Sequence, residues 1–169
     1  MATILVVDDD GDLCQAIRCA LEGLFGHAVF VANDAAGALQ AQKKRLADVV
    51  VTDIFMPGTD GLELIQELWR EYQGLSIIAM SGMSGRAHSE GPAAYQLVAA
   101  RALGVTETLP KPFDIAALAA AVESALSKLP STASASKRAQ RGMYASEADS
   151  AGGCGRNTED AHSRVLRAV

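Results

Sequence analysis

Long apolar runs are missing from this chain of 169 residues. The most apolar stretches, Ile4 to Val7 and Val49 to Val51, fall far short of the roughly 20 residues needed to cross a bilayer as a helix. No basic segment followed by an apolar stretch and a small-residue cleavage site opens the chain, so no export signal is read. The expected location is therefore cytoplasmic, without membrane insertion. Cysteine is sparse. Cys14, Cys19 and Cys154 are an odd number without metal-ligand spacing, which argues against a disulfide framework or a thiolate metal site. On one helix Cys14 and Cys19 would stand ~140° apart, so both are read as small buried hydrophobes.

Excess positive charge is also missing. The net charge is -5. Residues 1–129 hold 9 Lys and Arg against 16 Asp and Glu, giving 9 − 16 = -7, and residues 130–169 hold 6 against 4, giving +2. An acidic body of this kind is a poor candidate for direct nucleic-acid contact through phosphates. What is present suits a water-exposed globular domain: 49% hydrophobic residues to fill a core and 21% charged residues to cover it.

Up to about Leu129 two textures alternate. Short β-branched runs occur at Thr3–Val7, Ala28–Val31, Asp48–Thr52 and Ser76–Met80, with a weaker fifth at Val105–Leu109. Each is nearly continuous in apolar character, as expected of parallel strands covered on both faces. Between them lie helical spacings: Leu13, Ile17 and Leu21 before Gly26; Asp34 to Lys44; Leu62, Ile65, Leu68 and Tyr72; Pro92 to Gly104; and Leu118, Val122 and Leu126 behind Asp114 as N-cap. Five β-then-α units predict an α/β, flavodoxin-like, doubly wound five-stranded parallel sheet of order 2-1-3-4-5 with five helices. The domain is assigned to residues 1–129. Residues 130–169, rich in Ser, Ala and Gly, are read as a low-complexity, disordered tail.

The residues with chemistry fall where strands are expected to end. Asp8, Asp9 and Asp10 close the first run, Asp53 the third and Ser81 the fourth, and Lys111 follows the fifth. In a 2-1-3-4-5 sheet these ends converge on the edge where such folds bind ligands. Crowded carboxylates call for a hard cation, and Mg²⁺ favours oxygen ligands. A carboxylate can attack phosphorus to form an acyl phosphate. Asp53 is the candidate nucleophile, with Mg²⁺, the Lys111 ammonium and the Ser81 hydroxyl offsetting charge on the phosphoryl oxygens.

Four segments, Ile4 to Asp9, Val51 to Gly61, Met80 to Gly82 and Pro110 to Phe113, together resemble the receiver domain of two-component response regulators over roughly residues 2–128. The likeness is to the stand-alone, chemotaxis-regulator kind. The resemblance implies that Asp53 is the phosphoacceptor and that Asp8, Asp9, Asp53 and the Phe55 backbone carbonyl hold Mg²⁺. It implies that Ser81 is a switch hydroxyl and Lys111 the phosphate partner, with a cis Lys111–Pro112 bond. It further implies a histidine kinase or histidine phosphotransfer protein as donor, a protein effector as recipient of the signal, and no enzymatic turnover beyond the domain's own phosphotransfer and dephosphorylation.

Two departures stand out. Thr108 occupies the switch position where the family usually carries an aromatic ring. The Ser81 to Lys111 separation, 111 − 81 = 30 residues, is longer than expected, and the excess falls in the glycine-rich stretch 83–92. Two other functions compete. A phosphorylation-independent receiver-like interaction module is favoured by Thr108. An aspartyl-phosphate phosphatase is opposed by Phe55, which stands where such enzymes place a second acid.

Overall fold

The computed structural model describes residues 1–56, 59–82 and 92–129, with backbone alone at 59–60 and 92–97. The reading of residues 130–169 and of the 83–91 stretch lies outside the described residues.

Apolar runs too short to be helices become strands, and they pair in parallel. The strands are β1 (Thr3–Val7), β2 (Ala28–Ala32), β3 (Val49–Asp53), β6 (Ser76–Gly82) and β7 (Glu107–Lys111). Between β3 and β6 a separate antiparallel pair, β4 (Phe55–Met56) and β5 (Thr59–Asp60), joins Phe55 to Asp60 and Met56 to Thr59. The main sheet runs β2-β1-β3-β6-β7. Counted by its own five members, this is the expected order 2-1-3-4-5. Strand β3 lies at the centre, between β1 and β6, and β1 pairs with β2 and β3 in the registers Ile4 to Val29 and Ile4 to Val49.

Both sheet faces are buried, which accounts for the absence of polar alternation in β1 and β3. Ile4 and Val6 point into a layer with Ile17, Leu21, Leu118 and Val122 from helices α1 (Gly11–Phe25) and α5 (Ile115–Ser127). Leu5 and Val7 point the other way, among Ala38, Leu64, Ile65 and Ala100 from α2 (Ala35–Lys44), α3 (Gly61–Glu71) and α4 (Pro92–Leu103). Burying each large aliphatic side chain is worth roughly 1.5–3 kcal/mol. A core this full holds the loops at its edge in place.

Three aspartates start helices by accepting backbone N–H groups that the first turn leaves unpaired. Asp10 accepts from Asp12 and Leu13 at 2.9 and 3.0 Å, Asp34 from Gly37 at 2.6 Å, and Asp114 from Ala117 at 2.7 Å. Gly26 ends α1 in the left-handed region, φ 66°, as its position in the sequence suggests.

Two boundaries differ from the sequence reading. The fifth strand begins at Glu107 rather than Val105, because Gly104 turns at φ 98° to end α4. It also runs on through Pro110, which an edge strand tolerates because one of its sides has no ladder partner. The β4–β5 hairpin was not foreseen, since two-residue strands carry no periodicity. Cys14 is fully buried, as expected, while Cys19 is half-buried. Trp69 and Tyr72 are half-buried packing residues, and the Trp69 indole donates to the Leu75 carbonyl at 3.2 Å.

Candidate phosphoacceptor and metal site

The carboxyl ends of β1, β3, β6 and β7 meet at one edge of the sheet, and each contributes a polar group. Asp8 follows β1, Asp53 ends β3, Ser81 lies in the last turn of the pleat in β6, and Lys111 closes β7. The Lys111 ammonium donates to Asp8 Oδ2 and to Asp53 Oδ2, both at 2.6 Å. It bridges residues 103 and 58 positions away in sequence. The side chains of Asp8, Asp53 and Lys111 are 1%, 7% and 15% exposed, so water screens this triad little.

The second oxygens are also held. Asp8 Oδ1 accepts the Asp10 N–H at 3.0 Å, and Asp53 Oδ1 accepts the Phe55 N–H at 2.9 Å. Burial raises the Asp8 carboxyl above its ordinary range, against the opposing pull of the Lys111 and Asp10 hydrogen bonds. Burial also works against charge on Lys111, but its bonds to Asp53 and Asp8 outweigh that and raise it. The ammonium therefore stays charged between two carboxylates.

Asp8, Asp9 and Asp53 each offer a carboxylate oxygen, all within 4.8 Å of one another. Two are buried and Asp9 is exposed, giving a pocket with a solvent-facing mouth. One ammonium cannot neutralise three carboxylates. The all-oxygen donor set and the residual negative charge fit a hard divalent cation that keeps some of its waters. Asp10 is not part of this group: its side chain caps α1, while its N–H aligns Asp8.

Ser81 has its hydroxyl fully buried with no hydrogen-bond partner among the described residues. An unpaired buried hydroxyl costs about 1–3 kcal/mol, and at the rim of a charged pocket such a group awaits a partner. Below the pocket, the buried Cys14 thiol donates to the Asp8 carbonyl at 3.5 Å; burial first, and then the Asp8 charge, push it up to about 12. It stays a thiol. The Lys111–Pro112 bond is cis, as the resemblance implied.

The structure thus gathers Asp8, Asp9, Asp53, Ser81 and Lys111, and sets the Phe55 backbone against Asp53. The Phe55 ring is 39% exposed. Thr108 stands apart, on the α4 side of β7, where Arg101 donates to its hydroxyl through Nε and Nη2 at 3.0 and 2.7 Å. One contributor escaped the sequence reading. Gly61, given no role of its own in the sequence reading, packs so tightly that a Cβ would meet the Asp53 and Ile54 backbone at 2.5 and 2.6 Å. The Asp60–Gly61 pair in Val51 to Gly61 was the available signal, but only the close approach reveals the reason for it.

Fold and pocket together define a doubly wound α/β domain with an acidic site at the topological switch point. Comparison with known proteins names the class. The response regulator receiver domain family matches residues 4–123, and the chain belongs to that family. It is 37% identical over 124 residues to the DNA-binding transcriptional regulator NtrC of Escherichia coli K12, covering 73% of this chain and 24% of that protein. It is 37% identical over 123 residues to the transcriptional regulatory protein FixJ of Azorhizobium caulinodans, covering 73% and 54%. The chain therefore spans between about a quarter and about half the length of these relatives. Among solved structures, a response regulator receiver domain protein from Clostridium thermocellum superposes with TM-score 0.67 at 27% identity, covering 76% of this chain and 96% of that one. The chemotaxis response regulator CheY4 of Vibrio cholerae gives 0.63 at 26%, covering 75% and 99%. Among the described residues no helix is long and apolar enough to cross a membrane.

Proposed function

We propose that this receiver domain accepts a phosphoryl group on Asp53 in a Mg²⁺-dependent reaction and signals by altered binding to a partner protein. The observation that carries the reading is Lys111 held at 2.6 Å from both Asp8 and Asp53, beside the unpartnered hydroxyl of Ser81. The chemistry needs a carboxylate nucleophile and fixed positive charge for the incoming anion.

In the proposed reaction an Asp53 carboxylate oxygen forms the new bond to phosphorus. The bond from phosphorus to the donor's nitrogen or oxygen breaks, and that atom keeps the electron pair and takes a proton. Asp8, Asp9, Asp53 and the Phe55 carbonyl would hold the Mg²⁺, which when bound supplies charge compensation for the phosphoryl oxygens. Lys111, already beside Asp53, is placed to follow a phosphoryl oxygen with its ammonium. Ser81 gains the hydrogen bond it lacks by turning toward another oxygen. That gain exists only in the phosphorylated form, so it biases the domain toward a second conformation.

The proposed donor is a histidine kinase or a histidine phosphotransfer protein, and the proposed recipient of the signal is a protein effector. The NtrC relatives are named as DNA-binding, but this chain matches about a quarter of their length. The excess of acid in residues 1–129, 9 − 16 = -7, supports a receiver that does not itself contact nucleic acid. A receiver that forms nearly the whole of its chain has a precedent in CheY4, 99% of which is covered by the match. Cytoplasmic residence and the absence of turnover on any external substrate belong to the same proposal.

A second reading, a phosphorylation-independent interaction module, is favoured by one observation: Thr108 offers no ring to relay the switch and is held by Arg101. The deciding experiment is incubation with Mg²⁺ and acetyl phosphate, followed by intact mass and amide spectra. The expected result is one added phosphoryl group, absent in Asp53→Asn and in EDTA, with shifts beyond the pocket. Modification with no shift on α4 would favour the second reading, and no modification would sink the first.

A further inference from the structure

The Arg101–Thr108 contact joins α4 to β7. On β7, Lys111 and Leu109 serve the pocket and the α1–α5 layer, so Thr108 faces the other way. In register it lies opposite Ala79, and Pro110 lies opposite Ser81. Ala79 packs with Ala100 and Val105 in the layer that α4 covers. The Thr108 hydroxyl therefore sits on the same sheet face as Ala79, one pleat below the unpartnered Ser81.

Arg101 lies in the last turn of α4, three residues before the left-handed Gly104. Its fork places two N–H groups on one hydroxyl oxygen, at 3.0 and 2.7 Å. Such bonds lose most of their strength once the donor and acceptor separate by about 1 Å more, so the two short bonds favour α4 in its present position over any that draws Arg101 away from β7. A contact made in one conformer and lost in the other is what shifts a two-state equilibrium. Glu107 next door is engaged on α5 instead, by Ser124 at 2.6 Å and Lys128 at 2.7 Å. Arg101 also lies near enough to help lower the Glu107 carboxyl, and among the described side chains Thr108 is the β7 residue that hydrogen-bonds α4.

We propose that the Arg101 fork on Thr108 is a polar latch that holds α4 in the unphosphorylated position, in place of the aromatic relay. The latch opposes activation: whatever binds at Asp53 and displaces α4 must break it. This rests on the phosphoacceptor reading above. By linkage, a variant lacking the latch binds a phosphoryl mimic more tightly, because it begins nearer the displaced state.

The test is titration with beryllium fluoride in Mg²⁺, followed by amide shifts of residues 98–103 and of the pocket. Thr108→Val removes the acceptor at nearly constant volume, and Thr108→Ser keeps it. Thr108→Val should bind the mimic about 5-fold more tightly, the lower end of typical couplings, with its free α4 amides already displaced toward the bound positions. Thr108→Ser should match the parent. Arg101→Leu removes the donor from the other side and should repeat the Thr108→Val result, which covers the case where one variant fails to fold. Equal or weaker binding in folded Thr108→Val and Arg101→Leu overturns the latch. If the parent forms no adduct that depends on Asp53, the phosphoacceptor reading falls and the latch falls with it.

Discussion

Gly61 lies against the carbonyl of Asp53 so closely that a Cβ there would come within 2.5 Å of the oxygen. The Gly61 N–H donates to the Ile54 carbonyl at 3.1 Å, closing the β4–β5 hairpin back onto the end of β3. The atoms in the way are backbone, which cannot swing aside. Gly61→Ala should therefore destabilise the domain by about 2 kcal/mol in urea unfolding and slow Asp53 modification by acetyl phosphate. Unchanged stability and rate would show that the hairpin yields freely.

Asp8 gives the pH prediction. Its carboxyl is raised, chiefly by burial. An acid whose folded pKa lies above its unfolded value of 3.8 binds its proton better in the folded state. Stability is then fully present below that value and falls as pH rises through the folded pKa. Without divalent cation the cost is present in full once pH is above the folded pKa. Asp8→Asn should raise stability by about 1 kcal/mol in EDTA, flatten the acid limb of stability against pH, and remove stabilisation by Mg²⁺. A less stable Asp8→Asn protein at pH 7 would contradict this.

Lys111 ties the pocket together in the absence of the cation. Lys111→Met leaves Asp8 and Asp53 facing each other with no ammonium between them, and breaking one partner of a buried ion pair costs about 3 kcal/mol. Added Mg²⁺ should recover part of the loss, because a ligand stabilises the state that binds it. The Mg²⁺-induced rise in Tm should thus be larger in Lys111→Met than in the parent. Asp53 modification should nevertheless drop by about 100-fold or more, since the charge that meets the phosphoryl oxygen is gone.

Phe55 places a half-exposed ring beside the acceptor while its N–H holds Asp53 Oδ1. A ring there would exclude water from an acyl phosphate formed on Asp53. Phe55→Asn keeps the backbone contact and replaces the ring with a group that can hold a water. The phosphorylated half-life should shorten by about tenfold, or ~1.4 kcal/mol of barrier. An unchanged half-life measured by loss of the phosphoryl mass would remove the shielding role.

Much of this molecule is written in local pattern. The strand cores, the caps at Asp34 and Asp114, the stop at Gly26 and the order of the sheet all follow from short-range rules: apolar runs buried on both faces, carboxylates accepting first-turn N–H groups, and glycine turning where others strain. The site could be assembled in advance because Asp8, Asp53, Ser81 and Lys111 each end or follow a strand, and a parallel sheet brings such ends to one edge. What only the tertiary structure decided lies in contacts between residues far apart in sequence. Lys111 reaching both Asp8 and Asp53, the hydroxyl of Ser81 left without a partner, Gly61 wedged against the Asp53 backbone and Arg101 closing on Thr108 depend on where whole elements dock. Docking is set by the packed core, at distances of a few ångströms that no local propensity encodes.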